Sequence, residues 1–462
     1  MSTVAFSSNE REVIERKIDQ KPFNRLDKTL DYLKWQYDID GTVEFVLKGA
    51  YKQVALQFPD DLLPDSVSVA HLLEERLKMK PFIMADTSYG SCCIDEVTAL
   101  HVSADCLVHY GEACLTAPTN NLPVHYVFCK RDFDIERLSA KILQALSHFS
   151  TDSTSLVLLY DLQYWHAIGA LLDRLKSVVP GLVEEAEAIL PGSAADSAIL
   201  GRRLADRYKE ESFKLIFVGS EQSCCLNLWL LCYPTCTSVL MCHPESDQVS
   251  VRSSHTYKLL RKRLFLVEKV KDARTVGIVA GSVGVKGHRA IIERIKQLCR
   301  LTGKKSYTFS VGKLNPAKLA NFAEDIDVFV LVSCPYGVLL DCSHYYRAVV
   351  SAFELEVALN SDKKWAAGVG WSAEFGQLLS VPVSDTALAD SDVADISLIT
   401  GNVRVQGSPI TSGSGALQLY SSGDYFRNRL WQGLNDSYNQ PVEKAVAGRE
   451  GVASGYSNER QA

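Results

Sequence analysis

Several features are missing from this sequence of 462 residues, and each absence excludes a class of protein. No apolar stretch approaches the roughly 20 residues that a membrane-spanning helix needs. The first residues, 1–16, are polar and acidic, unlike the apolar segment of a secretory signal. Because 49 basic and 55 acidic residues give a net charge of −6, the chain lacks the basic field that holds a nucleic-acid backbone. We therefore expect a cytoplasmic protein with no membrane partner and no direct nucleic-acid partner.

The thirteen cysteines lack the spacing of the common zinc modules. No two of them are separated by two residues, so the chain contains no Cys-x-x-Cys sequence. Thiols stay reduced in the cytoplasm, which excludes a disulfide framework. We expect the cysteines to be buried small hydrophobic residues, metal ligands, or both.

The layout of the chain repeats one pattern three times. Apolar runs typical of buried strands begin at Val54, Leu156 and Val276, and a second such run comes 50 to 60 positions after each one. Amphipathic helical stretches follow the first runs, at 66–79, 165–178 and 288–301. This alternation indicates parallel sheets that are covered on both faces. One large sheet would give a similar pattern, so the repeat alone leaves that alternative open.

We predict an α/β protein built from three homologous α/β domains with mainly parallel sheets. The predicted segments are an N-terminal extension (1–40), the three domains (41–148, 149–264 and 265–406) and a C-terminal tail (407–462). The tail is rich in Gly, Ser and polar residues, and disorder is predicted after about residue 436.

Cysteines near the ends of predicted strands are candidate metal ligands, because ligands of parallel α/β sheets bind beyond the carboxyl ends of the strands. Cys92 and Cys93 follow the predicted strand 81–85 and precede a helical stretch, 94–102. A thiol at a helix N-terminus is stabilised as thiolate, the form that binds iron or zinc. Ordinary small residues at a strand–helix junction would give the same pattern, and spacing alone does not separate the two interpretations.

Cys334 ends the second predicted strand of the third unit. Pro335 cannot continue the hydrogen-bond ladder of a sheet, so Cys334 is expected in a turn at the carboxyl edge. In the three-unit layout this is the side on which Cys92 and Cys93 lie, and cysteines distant in sequence can share one site there. Cys342 is a weaker candidate, because the apolar run before it indicates a position off that edge.

The densest cysteine run is predicted to be structural. Five cysteines fall within nineteen residues, namely Cys224, Cys225, Cys232, Cys236 and Cys242. The spacing of the third and fourth resembles the start of the usual radical cluster loop, but Val239 stands where that loop needs another cysteine. The surrounding residues are apolar, which favours thiols buried in a core.

Three other patterns carry less weight. The glycines between 277 and 287 match neither the dinucleotide fingerprint nor the phosphate loop. The basic run 261–263 is predicted to lie on a solvated helix face, and the acidic pair Glu354 and Glu356 on a solvated or salt-bridged one.

Several longer motifs together resemble one known family. Residues 54–63 (VALQFPDDLL), 89–95 (YGSCCID) and 107–111 (LVHYG), with Cys114, are similar to the first domain of the diphthamide synthesis proteins. Residues 266–273 (LVEKVKDA), 276–279 (VGIV), 315–320 (NPAKLA), 333–335 (SCP) and 353–360 (FELEVALN) resemble the partner-type subunit of that family in particular. The resemblance covers about residues 40 to 435.

The resemblance implies three homologous domains around one central 4Fe–4S cluster. It also implies an activity in which a 3-amino-3-carboxypropyl group moves from S-adenosylmethionine to C2 of a histidine imidazole on elongation factor 2. In the catalytic pattern of the family each domain supplies one cysteine. Cys92, with Cys93 beside it, matches the first of these, and Cys334 matches the third.

The second cysteine of that pattern is not matched. Where the catalytic subunit has Leu-Gly-Cys, this chain has Leu-Gly-Arg at 200–202, and arginine cannot ligate iron. The resemblance therefore implies Cys92, Cys93 and Cys334 as the metal ligands of an accessory subunit in a heterodimeric 3-amino-3-carboxypropyl transferase. The implied partners are the catalytic sister subunit, a small metal-carrying electron donor and elongation factor 2.

Three rival interpretations stay open at this point. A catalytic subunit would bind S-adenosylmethionine and perform the transfer by itself. A metal-free binding module would pack its cysteines as core, and a zinc protein would hold zinc instead of iron. The motifs identify no catalytic residue and no residue that binds S-adenosylmethionine.

Overall fold

The computed structural model describes most of the chain up to residue 404 and two short pieces of the tail. The described residues are 28–84, 90–119, 122–149, 155–179, 183–192, 198–253, 256–312, 314–363, 365, 370–383, 395–399, 401, 403–404, 451–452 and 455–456. The chain divides into two units, residues 1–409 and 410–462.

The first sheet is built around two strands that are buried along their whole length, as expected for a sheet covered on both faces. The elements of this region are α1 (Leu30–Gln36), α2 (Ile39–Lys48), β1 (Val54–Gln57), a 3-10 helix (Leu63–Asp65), α3 (Ser66–Leu77), β2 (Phe82–Met84), α4 (Glu96–His101), β3 (Cys106–Tyr110) and β4 (Val124–Val127). The strand order is β2-β1-β3-β4, and every pair is parallel.

The second sheet has five strands. The elements of this region are α5 (Ile135–Phe149), β5 (Leu156–Tyr160), a 3-10 helix (Leu162–Tyr164), α6 (Trp165–Val178), β6 (Val183–Glu185), β7 (Glu187–Ala188), β8 (Arg202–Arg203), a 3-10 helix (Asp206–Lys209), β9 (Phe213–Val218), α7 (Cys224–Cys232), β10 (Cys236–His243) and β11 (Gln248–Ser253). The strand order is β11-β10-β9-β5-β6. Only β11 runs antiparallel within this sheet. Strands β7 and β8 form a separate antiparallel pair.

The third sheet is again parallel. Its region contains α8 (Thr256–Asp272), β12 (Thr275–Ala280), α9 (His288–Leu301), β13 (Lys305–Ser310), α10 (Pro316–Ala320), β14 (Val328–Val332), a 3-10 helix (Pro335–Gly337), β15 (Ala348–Ser351), α11 (Ala352–Leu359), α12 (Phe375–Leu379) and the small antiparallel pair β16 (Asp395–Ile396) and β17 (Val403–Arg404). The order of the main sheet is β13-β12-β14-β15. Helices α6 and α9 have the bounds that the sequence predicts.

One strand order recurs in all three sheets. The second strand lies at an edge beside the first, and the third strand lies on the other side of the first. The direction of progression therefore reverses between β1 and β3, between β5 and β9, and between β12 and β14. At such switch points a crevice opens beyond the carboxyl ends of the strands, where α/β proteins bind ligands. The recurrence fits the three predicted α/β units, whose boundaries remain a prediction.

The acidic pair of α11 is buried, so the predicted solvated face is wrong and the salt-bridged alternative holds. Glu354 accepts a hydrogen bond from Nε1 of Trp371 (2.7 Å) and forms an ion pair with Arg263. Glu356 pairs with the guanidinium of Arg294. Arg263 is itself only 1% exposed, so the solvated face predicted for 261–263 is also wrong at that residue. Oppositely charged partners make this burial tolerable.

The two ends of the chain are described in part. Residues 28–40 contain α1, and Leu33 and Tyr37 pack into the core of the first sheet. The predicted tail, 407–462, lies outside the described residues apart from an antiparallel pair, β18 (Gly451–Val452) and β19 (Gly455–Tyr456). Across the described ranges, no helix has both the length and the apolar character needed to span a membrane.

Candidate metal centre

Four cysteine thiols converge on one point of the first unit. The sulfur atoms of Cys92, Cys93, Cys114 and Cys334 all lie within 4.8 Å of one another. The Sγ atoms of Cys92 and Cys334 are 3.7 Å apart, and those of Cys93 and Cys114 are 4.0 Å apart. Three of the side chains are buried and Cys92 is half-buried. The three cysteines singled out in the sequence therefore lie together, and a fourth joins them.

The end of strand β1 fixes the segment that carries Cys92 and Cys93. Gln57 is the last residue of β1, and its Nε2 donates to the carbonyl oxygen of Cys93 (2.7 Å). Its Oε1 accepts a hydrogen bond from the backbone N–H of Asp95 (3.1 Å). The backbone N–H of Cys93 donates to the carbonyl oxygen of Gly90 (3.0 Å), which closes a tight turn. One buried amide thus holds the segment that presents both thiols.

Strand β3, the neighbour of β1, leads to Cys114. The backbone N–H of Cys114 donates to the carbonyl oxygen of Cys92 (3.1 Å). His109, near the end of β3, contacts the same segment, since its Nε2 lies 3.0 Å from the carbonyl oxygen of Ser91. The loop after β3 is therefore bonded directly to the segment after β2.

Cys334 comes from the switch point of the third sheet. It follows β14, whose last residue, Val332, accepts a hydrogen bond from the backbone N–H of Gly281 (2.9 Å) just after β12. A single 3-10 turn, Pro335–Gly337, comes next, and its last N–H donates to the carbonyl oxygen of Cys334 (3.0 Å). The turn predicted after Cys334 is therefore present, and it lies at the carboxyl edge of the sheet.

A short backbone seam (117–119 against 284–286) joins the first and third sheets. The N–H of Thr119 donates to the carbonyl oxygen of Gly284 (3.1 Å), and the N–H of Lys286 donates to that of Ala117 (2.9 Å). Glycine is needed at 284, because a Cβ there would lie 2.7 Å from the carbonyl oxygen of Ile94. The seam brings the carboxyl edges of the two sheets together, which places Cys334 beside the other three thiols.

The second sheet contributes no sulfur to the set. Its loop at Leu200 and Gly201 has left-handed backbone (φ 54° and 66°), and a Cβ on Gly201 would lie 2.6 Å from the Cβ of Leu115. The loop therefore lies against the residue that follows Cys114. Arg202 comes next and is fully buried. The segment that the resemblance aligned with the missing ligand thus lies beside the thiols and supplies an arginine.

The dense cysteine run of the second sheet takes no part in the set. Four of its five members are buried in the core, namely Cys225, Cys232, Cys236 and Cys242. Burial raises the pKa of each of these thiols, so they stay protonated and inert at neutral pH. The arrangement is that expected of structural thiols. Cys342 is half-buried and also lies outside the set.

Known proteins similar to this chain fall into one family. The family model for diphthamide synthesis proteins matches residues 58–369. A relative in Caenorhabditis elegans, 2-(3-amino-3-carboxypropyl)histidine synthase subunit 2, is 42% identical, and the match covers 91% of each chain. The chain belongs to the diphthamide synthesis protein family.

Further relatives of this family member extend the match to nearly the whole chain. The same subunit of Xenopus laevis is 40% identical with 99% of each chain covered, and that of Schizosaccharomyces pombe is 32% identical with 99% of this chain and 96% of the relative covered. The crystal structure of Dph2 from Pyrococcus horikoshii with a 4Fe-4S cluster is similar at a TM-score of 0.55 and 18% identity, over 72% of this chain and 93% of that one. This likeness confirms the α/β fold with mainly parallel sheets.

Hydrogen bonds among the four thiols of this diphthamide synthesis protein concentrate negative charge on one sulfur. Contacts from Cys334, Cys92 and Cys93 hold the pKa of Cys114 well below its usual value. The same contacts with Cys114 raise the pKa values of Cys92 and Cys334 well above theirs. Loss of a proton from Cys92 and Cys334 as well as from Cys114 therefore requires a positive charge among them, which a metal supplies.

Reasoning from the sequence named Cys114 as part of a family motif and missed it as a ligand. The signal that identifies it is its position, because it comes four residues after the end of β3 at Tyr110. Strand β3 lies next to β1 in the sheet, so residues just after both strands share one edge. The strand order needed for that argument was not known from the sequence.

An all-sulfur donor set fits either zinc or an iron–sulfur cluster. Two of the sulfur separations, 3.7 and 4.0 Å, are close to the roughly 3.8 Å expected around one tetrahedral zinc with Zn–S bonds of about 2.3 Å. A four-iron cluster needs wider spacing, because each thiolate then binds a different iron atom. The donor chemistry of the four thiols fits both groups, their spacing fits zinc, and binding of the cluster requires them to move apart.

Proposed function

We propose that the chain is the iron–sulfur partner subunit of the heterodimeric transferase that begins diphthamide biosynthesis. That reaction moves a 3-amino-3-carboxypropyl group from S-adenosylmethionine to C2 of a histidine on elongation factor 2. The observation that carries the proposal is the convergence of four thiols at the carboxyl edges of two sheets, in a chain of the diphthamide synthesis family. A 4Fe–4S cluster held there supplies one-electron transfer.

Two features of the site support an accessory role for this chain. Four thiols are enough to ligate every iron of a four-iron cluster, which leaves no iron position open for a substrate. The second sheet offers Arg202 where the catalytic pattern of the family has a cysteine. In the proposal the chain holds its cluster by Cys92, Cys93, Cys114 and Cys334, keeps three of these thiols away from water, and supports reduction of the cluster in the catalytic sister subunit. A small metal-carrying protein delivers the electrons.

The sulfur spacing favours a second candidate, a structural zinc site. Zinc carries no redox chemistry, so a chain that holds it would support the transferase only by its shape. The two candidates share all four thiols and differ in the metal.

Purification of the full chain without oxygen separates these candidates. We expect a brown protein that contains iron and acid-labile sulfide, at about four of each per chain. A colourless protein with one zinc per chain would establish the zinc site and exclude the cluster. A chain free of both metals, after cluster assembly has been attempted, would refute both candidates in favour of a metal-free module.

The accessory role is tested by transfer of labelled 3-amino-3-carboxypropyl groups to elongation factor 2. We expect no transfer by the isolated, cluster-loaded chain and transfer once the catalytic sister subunit and a reductant are added. Turnover by the isolated chain would identify it as catalytic. A heterodimer that kept its full rate with Cys114→Ser and Cys334→Ser in this chain would exclude a role of this cluster in the reaction.

A further inference from the structure

Arg202 is a buried cation with few partners. None of its side chain is exposed. Its Nη2 donates to the carbonyl oxygen of Tyr160 (3.1 Å), and the guanidinium carbon lies 5.4 Å from the ring centroid of the same residue. The Nε and Nη1 atoms have no hydrogen-bond partner. Among the described residues, no carboxylate forms an ion pair with this guanidinium.

Arg203, the next residue in the same strand, has the exposed and ion-paired side chain that is usual for arginine. Arg203 follows Arg202 in β8, and successive side chains of a strand point to opposite faces. The side chain of Arg203 is 52% exposed and forms an ion pair with Glu187 across the β7–β8 pair. Its charge is solvated and ion-paired, whereas Arg202 is buried and forms no ion pair with a described carboxylate.

Asp161, which directly follows β5, already accepts hydrogen bonds from other groups. Asp161 accepts hydrogen bonds from the backbone N–H of Ser220 (2.9 Å) and from Oγ of Ser223 (2.6 Å). An isolated charge in a protein interior costs several kcal/mol unless an opposite charge compensates it. Asp161 and Glu112 lie close enough to interact with the charge of Arg202, but neither accepts a hydrogen bond from its unpartnered Nε and Nη1 atoms.

Arg202 lies near residues that neighbour Cys114 and Cys334 in sequence. The residue before it, Gly201, is in contact with Leu115, which follows Cys114 directly. Burial by itself would lower the pKa of the guanidinium, but nearby Tyr336, Cys225 and Glu112 raise it, so the group stays charged. Tyr336 comes two residues after Cys334, and Glu112 comes two residues before Cys114.

We propose that Arg202 compensates the negative charge of the metal centre and raises the reduction potential of the cluster held there. The inference rests on the proposed function, because it needs a cluster on the four thiols. Thiolates and sulfides give such a cluster a net negative charge, and reduction adds one more electron. A cation that is buried nearby, with N–H donors to spare, stabilises the reduced form more than the oxidised form.

In this role Arg202 does more than occupy the position of an absent cysteine ligand. A cluster that receives electrons from one protein and passes them to another must be reducible by the first. The arginine shifts the equilibrium toward the reduced cluster without binding iron. Because the charge lies in a low-dielectric interior, its effect exceeds that of an arginine at the surface.

The test compares four variants of the full chain with cluster assembled without oxygen. Arg202→Met and Arg202→Gln remove the charge, Arg202→Lys keeps it, and Arg203→Met removes the neighbouring charge from the surface. Iron and sulfide content, thermal unfolding and a redox titration followed by electron paramagnetic resonance are measured for each. The glutamine variant retains a donor for the Tyr160 carbonyl, so it decides the question where methionine destabilises the fold.

We expect the neutral variants to bind iron as the unsubstituted chain does and to be harder to reduce. At any fixed potential their ratio of reduced to oxidised cluster falls at least tenfold, which corresponds to about 59 mV for one electron. The Arg202→Lys and Arg203→Met variants stay close to the unsubstituted chain. Neutral variants with full iron and an unchanged potential would overturn the role of Arg202 alone. An unsubstituted chain that takes up no iron would overturn the proposed function, and this inference with it.

Discussion

The metal centre and the second sheet are both rich in cysteine, but sulfur atoms meet only in the metal centre. There, four cysteines come from three separate segments, and the contact between Cys92 and Cys334 spans 242 positions of sequence. In the second sheet five cysteines lie within nineteen residues, and none belongs to the set of converging thiols.

Position relative to the strands explains the difference. The converging cysteines follow the ends of parallel strands, where side chains of neighbouring loops meet at one edge. The cysteines of the dense run lie inside α7 and β10, two elements that are buried almost throughout. There a thiol replaces a small apolar side chain inside a packed core. Closeness in sequence is therefore a poor guide to a metal site in this fold.

The largest predicted effect is a difference in bound iron between two variants, each with one cysteine substituted in one of the two regions. Cys334→Ser should reduce bound iron to about a tenth or less, because a serine oxygen is a poor ligand for an iron–sulfur cluster. Cys242→Ser should keep all of its iron and lose about 1–3 kcal/mol of stability, because it buries a hydroxyl among apolar side chains. Iron analysis and thermal unfolding of both variants give the answer. Equal iron in the two variants would remove the distinction between the regions.

The second prediction concerns a substitution that weakens the seam between the carboxyl edges of the first and third sheets. Gly284→Ala forces a methyl group against the carbonyl oxygen of Ile94, at 2.7 Å, and should cost about 1–3 kcal/mol of stability. We expect iron content to fall with it, since Cys334 is held beside the other thiols by this contact. The matched control is Gly169→Ala in α6, where nothing lies within 4 Å of the new methyl group. The control should be neutral or stabilise the chain by up to about 1 kcal/mol.

Unfolding monitored by circular dichroism, together with iron analysis, measures both glycine variants. If Gly284→Ala unfolds and binds iron like its control, the seam does not position Cys334. The convergence of the thiols would then depend on the packing of the sheets alone.

The elements of the fold were predictable because their signals are local. The helical stretches 165–178 and 288–301 form α6 and α9 with those bounds, since amphipathic spacing and flanking turns are read within a few residues. The edge position of Cys92, Cys93 and Cys334 followed from the alternation of strands and helices. These predictions needed no knowledge of which strands are neighbours.

What the sequence did not reveal depends on partners far along the chain. Glu354 and Glu356 were expected on a solvated or salt-bridged face, and Arg263 on a solvated one. They are buried because Trp371 and Arg294 complete their hydrogen bonds and ion pairs. The role of Cys114 as a candidate ligand was likewise not predictable, because it depends on β1 and β3 being neighbours in the sheet. Sequence spacing carries no information about such contacts.

The third prediction uses oxidation to trap the convergence covalently. In metal-free protein, hydrogen peroxide should convert the thiols of Cys92 and Cys334, 3.7 Å apart, into a disulfide with release of two water molecules. Mass spectrometry of unreduced peptides should detect a link between the first and third sheets. The dense run should give no link between Cys236 and Cys242. If the exposed Cys224 is oxidised and no Cys92–Cys334 link forms, the result would contradict the geometry of the metal centre.

The smallest predicted effect concerns Cys224, the exposed member of the dense run. Partial desolvation of the thiol, together with the charges of Glu112 and Asp161, raises its pKa. Its thiolate fraction is therefore low at pH 7 and rises with pH, so alkylation by iodoacetamide should be slow at neutral pH and accelerate as pH increases. Cys225, the next residue, is buried and should stay unlabelled in the folded protein at every pH.

Labelling of Cys224 should change neither iron content nor unfolding temperature, because the residue lies outside the converging set. Mass spectrometry of the labelled peptide, with iron analysis of the same sample, gives both readouts. Loss of iron on alkylation would show that the dense run communicates with the metal centre. Retention of iron would show that even the accessible thiol of that run plays no part in holding the metal.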